Sequence, residues 1–191
     1  MKKVLIIFGL LLCLFGCSKQ EYHKGNFDGL LYTNSYFGFR MEYLDGYHVY
    51  SNDEMAQTLG ITVEQLQQQS ANETMYEYMV GAKTGAPLFQ FYIENYKFTT
   101  LATYDDFIAQ VVQQFTAQEE MDYTVGAVDD VELNGVIMKK IPLHINAGYY
   151  IVCQDIYMIK KDSYVGTLMV TYLDIQKKEV EEIIQSIEFY E

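Results

Sequence analysis

The second half of the chain alternates apolar stretches with short turn sequences, and this pattern restricts the fold more than any other feature. Between Tyr123 and Leu173 it predicts a meander of four antiparallel strands. The turns fall at Asn134-Gly135, at 146–148 and at 161–163. Asn-Gly is a strong hairpin signal, because both central positions of a type I′ turn need a positive φ. The chain is therefore expected to contain an antiparallel sheet.

The rest of the chain adds more strands and several helices. Apolar residues occupy every second position of 37–43, which predicts a half-buried strand. Between 103 and 117 they recur at helical spacing behind a Thr103 cap, which predicts a helix. The remaining predicted elements are strands at 74–83, 88–97 and 187–190, short helices at 53–59 and 63–71, and a last helix that starts at Asp174. This order favours an α+β fold, an antiparallel β-sheet packed against helices.

Composition fits one folded domain. The 191 residues are 50% hydrophobic and 20% charged, enough apolar material for a full core. Acidic residues outnumber basic ones by 26 to 13, and a net charge of −13 argues against a nucleic-acid partner. The 3 cysteines are too few for a disulfide framework.

The N-terminus has a basic start and a short apolar run. Lys2 and Lys3 precede an unbroken apolar stretch from Val4 to Phe15. At 1.5 Å per residue this stretch is roughly 18 Å of helix, whereas a bilayer core is about 30 Å thick. The pattern is therefore typical of a removable secretory signal and not of a permanent membrane span.

The end of this apolar run resembles the lipobox of bacterial lipoproteins. Leu14, Phe15 and Gly16 precede Cys17, the order in which cleavage occurs just before the cysteine. The resemblance implies that residues 1–16 are a signal peptide and that Cys17 carries a diacylglyceryl thioether and an N-acyl chain such as palmitate. Two or more chains hold a protein stably on a membrane. The expected location is the extracytoplasmic face of the cell membrane. An ordinary signal peptide cleaved elsewhere, with Cys17 incidental, is the alternative.

Cleavage at this position divides the remaining chain into a tether and a domain. Residues 17–34 are predicted to be the lipidated cysteine and a polar tether, and residues 35–191 a single α+β domain. Docking of Leu30, Leu31 and Tyr32 back onto the domain is the alternative, and it would move this boundary by several residues. Cleavage removes two lysines and no acid, so the formal charge becomes more negative by two. Cys153 then remains as a lone thiol in an apolar run, and it is predicted to be buried.

Two segments of the domain resemble PsbP/Mog1/DcrB-like domains. The stretch from Tyr36 to Tyr47 is similar to their opening pattern Gly-Phe-x-Φ-x-Φ-Pro-x-Gly-Trp, where Φ is apolar. Leu44 replaces the proline and Tyr47 the tryptophan. The final helix and strand around 182–189 are also like theirs. The resemblance implies an α/β/α sandwich and the role of a binding or assembly factor, and it implies no catalytic residue.

Short catalytic signatures are missing from the sequence. It contains no Gly-x-Ser-x-Gly, His-Glu-x-x-His, Cys-x-x-Cys, P-loop or Gly-x-Gly-x-x-Gly motif. The stretch that starts at Asp130 is close to the first half of an EF-hand calcium loop, but position twelve is Ile141 where that loop needs a bidentate Glu. A hairpin with acidic flanks is the preferred interpretation. No enzymatic activity, cofactor or metal site is predicted.

Tyrosine is the compositional outlier, with 18 Tyr and 11 Phe beside no Trp. High strand propensity explains most of these tyrosines. Four of them are candidate contacts for a partner or ligand, because Tyr combines an apolar face with a hydroxyl group. They are Tyr47 and Tyr50 beside the opening turn, and Tyr149 and Tyr150 at a hairpin.

Anchor, fold and motif content together predict a membrane-anchored, extracytoplasmic lipoprotein. It is expected to act as a binding or assembly module for another envelope protein. Two alternatives stay open. One is an envelope enzyme, hydrolase-like, with an active site assembled from distant residues. The other is a lipoprotein that binds a small ligand. A deep pocket with converging titratable groups favours the enzyme, and a shallow apolar-aromatic patch favours the protein partner.

Overall fold

The computed structural model describes residues 22–71, 73–83, 85–98, 101, 103–117 and 123–190. The strands are β1 (Asn26–Asp28), β2 (Leu31–Asn34), β3 (Phe39–Glu42), β4 (Tyr47–Val49), β5 (Thr74–Ala82), β6 (Leu88–Asn95), β7 (Tyr123–Val125), β8 (Asp129–Leu133), β9 (Val136–Asn146), β10 (Ile151–Lys161), β11 (Tyr164–Leu173) and β12 (Glu188–Phe189). The helices are α1 (Asn52–Leu59), α2 (Val63–Gln67), α3 (Tyr104–Thr116) and α4 (Lys177–Gln185), with single 3-10 turns at Tyr96–Phe98 and Asp174–Gln176.

A large antiparallel sheet forms the centre of the domain. Its strand order is β4-β5-β6-β11-β10-β9-β7, and β8 also pairs with β9. The predicted meander is present, and Asn134 and Gly135 have the positive φ values of 46° and 86° that an Asn-Gly hairpin needs. Its first strand is broken into β7 and β8 at Gly126, whose N–H donates to the Pro142 carbonyl (2.8 Å). Proline has no N–H for the ladder, which explains the break.

A second, smaller sheet has the order β1-β2-β3-β12. It corrects the predicted boundary of the tether at residue 34, because β1 and β2 lie within the predicted tether and are strands of the domain. The cause is apolar packing: Phe27 and Tyr32 join the same cluster of buried side chains as β3. The folded part of the chain therefore begins before residue 35.

Helices cover both faces of the large sheet. Met79, Gln90, Met169 and Ile156 are successive cross-strand partners and so share one face. On that face α1 and α2 pack around Met79, and α3 packs around Ile156. The opposite face is covered by the small sheet and α4. The layers are those of the expected α/β/α sandwich, and the α+β prediction is confirmed.

The space between the two sheets is filled largely by aromatic rings. Phe91 lies at its centre, with its ring centroid 5.5 Å from that of Phe39 and 5.6 Å from that of Tyr78. The tyrosines buried in this cluster are Tyr32, Tyr36, Tyr43, Tyr47, Tyr78, Tyr157 and Tyr172. Much of the tyrosine excess is therefore interior packing. Where these hydroxyls need partners they find them within the domain, as in the Tyr43–Tyr78 hydrogen bond (2.9 Å).

The helix signals were mostly correct, with two errors at helix ends. Thr103 caps α3 by accepting from the Asp106 N–H (3.1 Å), and Phe107, Ile108 and Val111 form its buried stripe. Helix α2 ends at Gln67 and not near residue 71. Helix α4 begins after a 3-10 turn, so Asp174 does not cap it directly.

Candidate functional site

The β9–β10 hairpin ends in a short, tightly bonded loop. The Ala147 N–H donates to the Tyr150 carbonyl (3.0 Å), and the Gly148 N–H donates to Asn146 Oδ1 (3.1 Å). Gly148 has a φ of 81°, a conformation that glycine adopts without strain. These two hydrogen bonds brace the loop backbone, and the loop carries two aromatic side chains.

Large apolar side chains at this loop face solvent. Tyr149 is 99% exposed, Tyr150 66% and Ile151 56%. Ile175, which is 89% exposed, lies in the 3-10 turn that continues β11 and contacts β10. We call these four residues the distal tip. Single exposed apolar residues are normal on protein surfaces, but several at one end of a sheet mark an interaction site.

The distal tip lies far from the N-terminal end of the described chain. Val152 pairs with Leu173 at the tip end of the β10–β11 ladder, and Lys161 pairs with Tyr164 at the other end. The Tyr22 ring packs against Tyr164, with centroids 5.8 Å apart. A strand advances about 3.4 Å per residue, so roughly 30 Å of sheet separate Tyr22 from the distal tip.

Only two of the four candidate tyrosines are surface groups of this kind. Tyr149 and Tyr150 are exposed where the hairpin was predicted. Tyr47 is 6% exposed, and its hydroxyl donates to Glu179 Oε1 (2.6 Å), so it offers no free surface. Burial and Glu179 together raise the pKa of Tyr47. Tyr50 is half-buried and stacks on His48, with centroids 4.8 Å apart.

Sequence reasoning did not identify Ile151 and Ile175 as part of this surface. Ile151 falls in the predicted meander, after the turn at 146–148, and it is exposed as the first residue of β10. Ile175 stands between Asp174 and Gln176. An apolar residue flanked by polar residues in a turn is a sequence signal that could have indicated its exposure. The predicted lipobox residues Leu14, Phe15, Gly16 and Cys17 lie outside the described residues.

A second cluster, far from the tip, surrounds the carboxyl group of Glu77. The register of β5 against β6 shifts between Tyr76 and Tyr78, so Glu77 is the extra residue of a β-bulge. The bulge directs its side chain toward the small sheet, where the hydroxyls of Tyr22 and Tyr32 donate to the two carboxylate oxygens.

Two further donors complete the surroundings of Glu77. The Gly25 N–H and the Asn34 amide both donate to Oε1. Burial raises the pKa of Glu77 to about 8, and the Gly25 hydrogen bond opposes that change. In the sequence, Glu77 appeared only as one acidic residue in a predicted strand, because a bulge leaves no clear trace in the apolar pattern.

The raised pKa of Glu77 makes stability depend on pH. The unfolded chain releases this proton near the ordinary pKa of 4.5, whereas the folded chain keeps it to about pH 8. Between these values the folded state holds more protons, so the free energy of unfolding decreases as pH rises, by at most about 1.4 kcal/mol per pH unit. Urea unfolding of the wild type and of Glu77→Gln between pH 5 and 8 checks this. The stability advantage of the wild type should shrink as pH rises, and a constant difference contradicts the assignment.

A third polar cluster lies beneath α4. Asp155 Oδ2 accepts from the Tyr172 hydroxyl (3.0 Å) and pairs with Lys140 Nζ (2.8 Å). Burial opposes the charge on Lys140, but hydrogen bonds from its ammonium to Asp155 and Tyr157 raise its pKa. Asp155 and both tyrosines are buried and the Lys140 side chain is partly exposed, so the cluster is an ion pair at the edge of the interior. The nearby Cys153 is buried as predicted, and burial raises the pKa of its thiol, which favours an unreactive form.

Two other places offer little for catalysis. A shallow groove on the outer face of the small sheet runs between Arg40 and Tyr190, but the Arg40 guanidinium is paired with Glu188 (Nε to Oε2, 2.8 Å). The EF-hand-like stretch is the β8–β9 hairpin, where Lys139 pairs with Asp130 (2.8 Å). Among the residues that the structure describes, no group of three or more His, Cys, Asp and Glu side chains could hold a metal ion.

Similarity to solved structures defines the class of fold. The cyanobacterial PsbP protein (CyanoP) of Synechocystis sp. PCC 6803 matches with a TM-score of 0.52 at 10% sequence identity, over 93% of this chain and 99% of that one. The domain thus has a PsbP-like fold, as the sequence resemblance implied. At this identity the similarity concerns the fold alone.

Two further structures match at lower scores. LpqN of Mycobacterium tuberculosis, described as involved in cell envelope biogenesis, has a TM-score of 0.44 and 10% identity over 80% of this chain and 83% of that one. A protein of unknown function from Pseudomonas aeruginosa, PA94, has a TM-score of 0.45 and 10% identity over 65% and 88%. No protein-family model and no curated protein sequence matches the chain. In the described part of the chain, no helix is long and apolar enough to cross a bilayer.

Proposed function

We propose that this protein is a lipid-anchored, extracytoplasmic binding module that presents the distal tip to a protein partner in the cell envelope. The single observation that carries the proposal is the exposure of Tyr149 and Tyr150 on a hydrogen-bonded loop. Tyr is enriched in the energetically dominant positions of protein interfaces, because it buries a large area at little entropic cost. The hydrogen bonds that brace the loop lower that cost further.

The composition of the tip supports a protein partner over a small ligand. Its four side chains project from one end of the sheet, whereas small-ligand sites are concave and enclose most of the ligand. The carboxyl groups of half-buried Glu77 and buried Asp155 are already hydrogen-bonded within the domain. They therefore give no support to the alternative of a hydrolase-like enzyme.

Charge and geometry support a partner located away from the lipid. The domain is strongly acidic, and many membrane surfaces are negative, so repulsion keeps the domain off the bilayer. The predicted anchor at Cys17 precedes Tyr22 in the chain. Tyr22 packs at the end of the large sheet that is opposite to the tip. An anchored domain in this arrangement exposes the tip toward the envelope space.

The test compares partner capture by the wild type and by the double variant Tyr149→Ala/Tyr150→Ala. The lipidated protein is crosslinked in cells, purified and analysed by mass spectrometry. Removal of two central aromatic side chains is expected to weaken the interaction by about 30-fold or more, corresponding to about 2 kcal/mol. Crosslinked partner should therefore fall close to background.

Ile137→Ala is the matched control, because Ile137 is 68% exposed but lies near the opposite end of β9. This variant should capture the partner as well as the wild type does. Equal capture by the double variant and the wild type, with both folded, would overturn the assignment of the tip as the binding surface. Recovery of no specific partner under several growth conditions would count against a binding module altogether.

A further inference from the structure

The first described residues of the chain are packed onto the domain. The Tyr22 ring contacts Tyr36 and Phe37, with centroids 5.2 and 6.1 Å away, and its hydroxyl donates to Glu77. Lys24 Nζ donates to the Tyr76 carbonyl (3.5 Å). The segment 22–25 therefore follows the surface of the large sheet before β1 begins.

Gly25 allows this close approach. A Cβ atom at this position would lie 2.5 Å from both the Thr33 carbonyl oxygen and the Tyr32 hydroxyl, closer than real Cβ contacts. The Gly25 N–H in turn donates to Glu77. The backbone of the segment thus reaches the bulge carboxyl only because the residue has no side chain.

We propose that the Glu77 carboxyl is a latch that docks segment 22–25 onto the domain and thereby sets the orientation of the anchored protein, with the distal tip pointing away from the membrane. Both sides of the contact are specific: a bulge supplies the acceptor, and a tyrosine and a glycine supply the donors. The docking itself depends only on described contacts. The orientation rests on the proposed function, because it requires the lipid on Cys17.

Chain length makes the latch effective. Between Cys17 and Tyr22 the chain reaches at most about 17 Å when fully extended. With the segment docked, the near end of the domain is held within that distance of the lipid, and the tip lies roughly 30 Å beyond Tyr22. With the segment released, the added residues behave as flexible linker and the domain rotates about the anchor.

Hydrogen exchange of the full, lipidated protein in detergent tests the docking. The Gly25 amide should be protected in the wild type. In Gly25→Ala, whose Cβ prevents docking while Glu77 stays in place, exchange of the peptide covering 22–25 should accelerate at least about tenfold. Glu77→Gln should also accelerate it. Glu73→Gln, an exposed carboxylate just before β5, is the control and should leave it unchanged.

The hydrogen-exchange result shows whether segment 22–25 is docked, and it does so with or without lipid on Cys17. Equal exchange in the wild type and Gly25→Ala overturns the latch. Gly25→Ala keeps the Glu77 carboxyl, so it remains informative if Glu77→Gln does not fold. Fast exchange of segment 22–25 in the wild type would also overturn the latch, because it would show that the segment is not docked.

Fluorescence quenching tests the orientation. A fluorophore is placed at the tip through Ala147→Cys, and Cys153 is buried, which directs the label to the new thiol. The lipidated protein is bound to vesicles of phosphatidylethanolamine and phosphatidylglycerol that carry headgroup quenchers. Quenching should be weak with the wild-type segment and at least about twofold stronger with Gly25→Ala. Equal quenching overturns the orientation. Failure of both proteins to bind vesicles contradicts the anchor, and thus the proposed function, while the exchange result still decides the latch.

Discussion

Replacing Cys17 by Ser is expected to move the protein almost completely from the membrane fraction to the soluble fraction. The lipobox resemblance implies that the diacylglyceryl group is bonded to the Cys17 sulfur, and Ser has no sulfur to form this thioether. Each buried CH₂ of an acyl chain contributes about 0.8 kcal/mol, so loss of the chains removes essentially all the affinity for the bilayer. Fractionation of cells followed by immunoblotting measures the distribution.

Cys153→Ser is the matched control for this experiment. It removes the other cysteine predicted to remain after cleavage, and the protein should stay in the membrane fraction. Intact mass measurement of the wild type should give a chain that begins at Cys17 and carries acyl groups. A Cys17→Ser protein that remains bound to membranes with its N-terminal segment uncleaved contradicts the lipoprotein assignment.

Replacing Phe91 by Ala is expected to lower the free energy of unfolding by about 3–5 kcal/mol. Phe91 is fully buried, and its ring packs against those of Phe39 and Tyr78 between the two sheets. The substitution leaves a cavity that rings held by two sheets cannot fill by small movements. Urea unfolding followed by circular dichroism measures the change.

The matched control is another aromatic residue, Tyr149, because its ring is almost fully exposed. Tyr149→Ala should change the free energy of unfolding by no more than about 0.5 kcal/mol. The pair also verifies that tip variants remain folded in the capture experiment. A Phe91→Ala protein as stable as the wild type would contradict the aromatic core as the main source of cohesion between the sheets.

Local signals in the sequence were sufficient for much of the fold. The stripe of α3 and its Thr103 cap, the Asn134-Gly135 hairpin and the closing strand all depend on neighbours within a few residues. Such features follow from backbone preferences and apolar periodicity. The exposure of Tyr149 and Tyr150 was anticipated for the same reason, since a hairpin loop places its residues at the end of a sheet.

Features that depend on distant residues could not be predicted in this way. The strands before residue 35 were assigned to a tether because their sequence is polar and contains glycine. Docking of Tyr32 was an alternative, but nothing local indicated that Phe27 also packs with residues far along the chain. Glu77 lies in a strand pattern, and its role arises from a bulge and from donors contributed by the N-terminal segment. The Tyr47 ring is buried against Tyr43 and Phe89, and Glu179, on the last helix, accepts a hydrogen bond from its hydroxyl.

The assignment of the distal tip as a partner-binding surface is tested most directly by a photoreactive amino acid placed at residue 149 in living cells. The same group at residue 137, on an exposed part of the opposite end of β9, serves as the comparison. The account predicts that irradiation links position 149 to one or a few specific envelope proteins and that position 137 gives none of these products. Identical crosslinking patterns at the two positions, or no specific product at position 149, would contradict it.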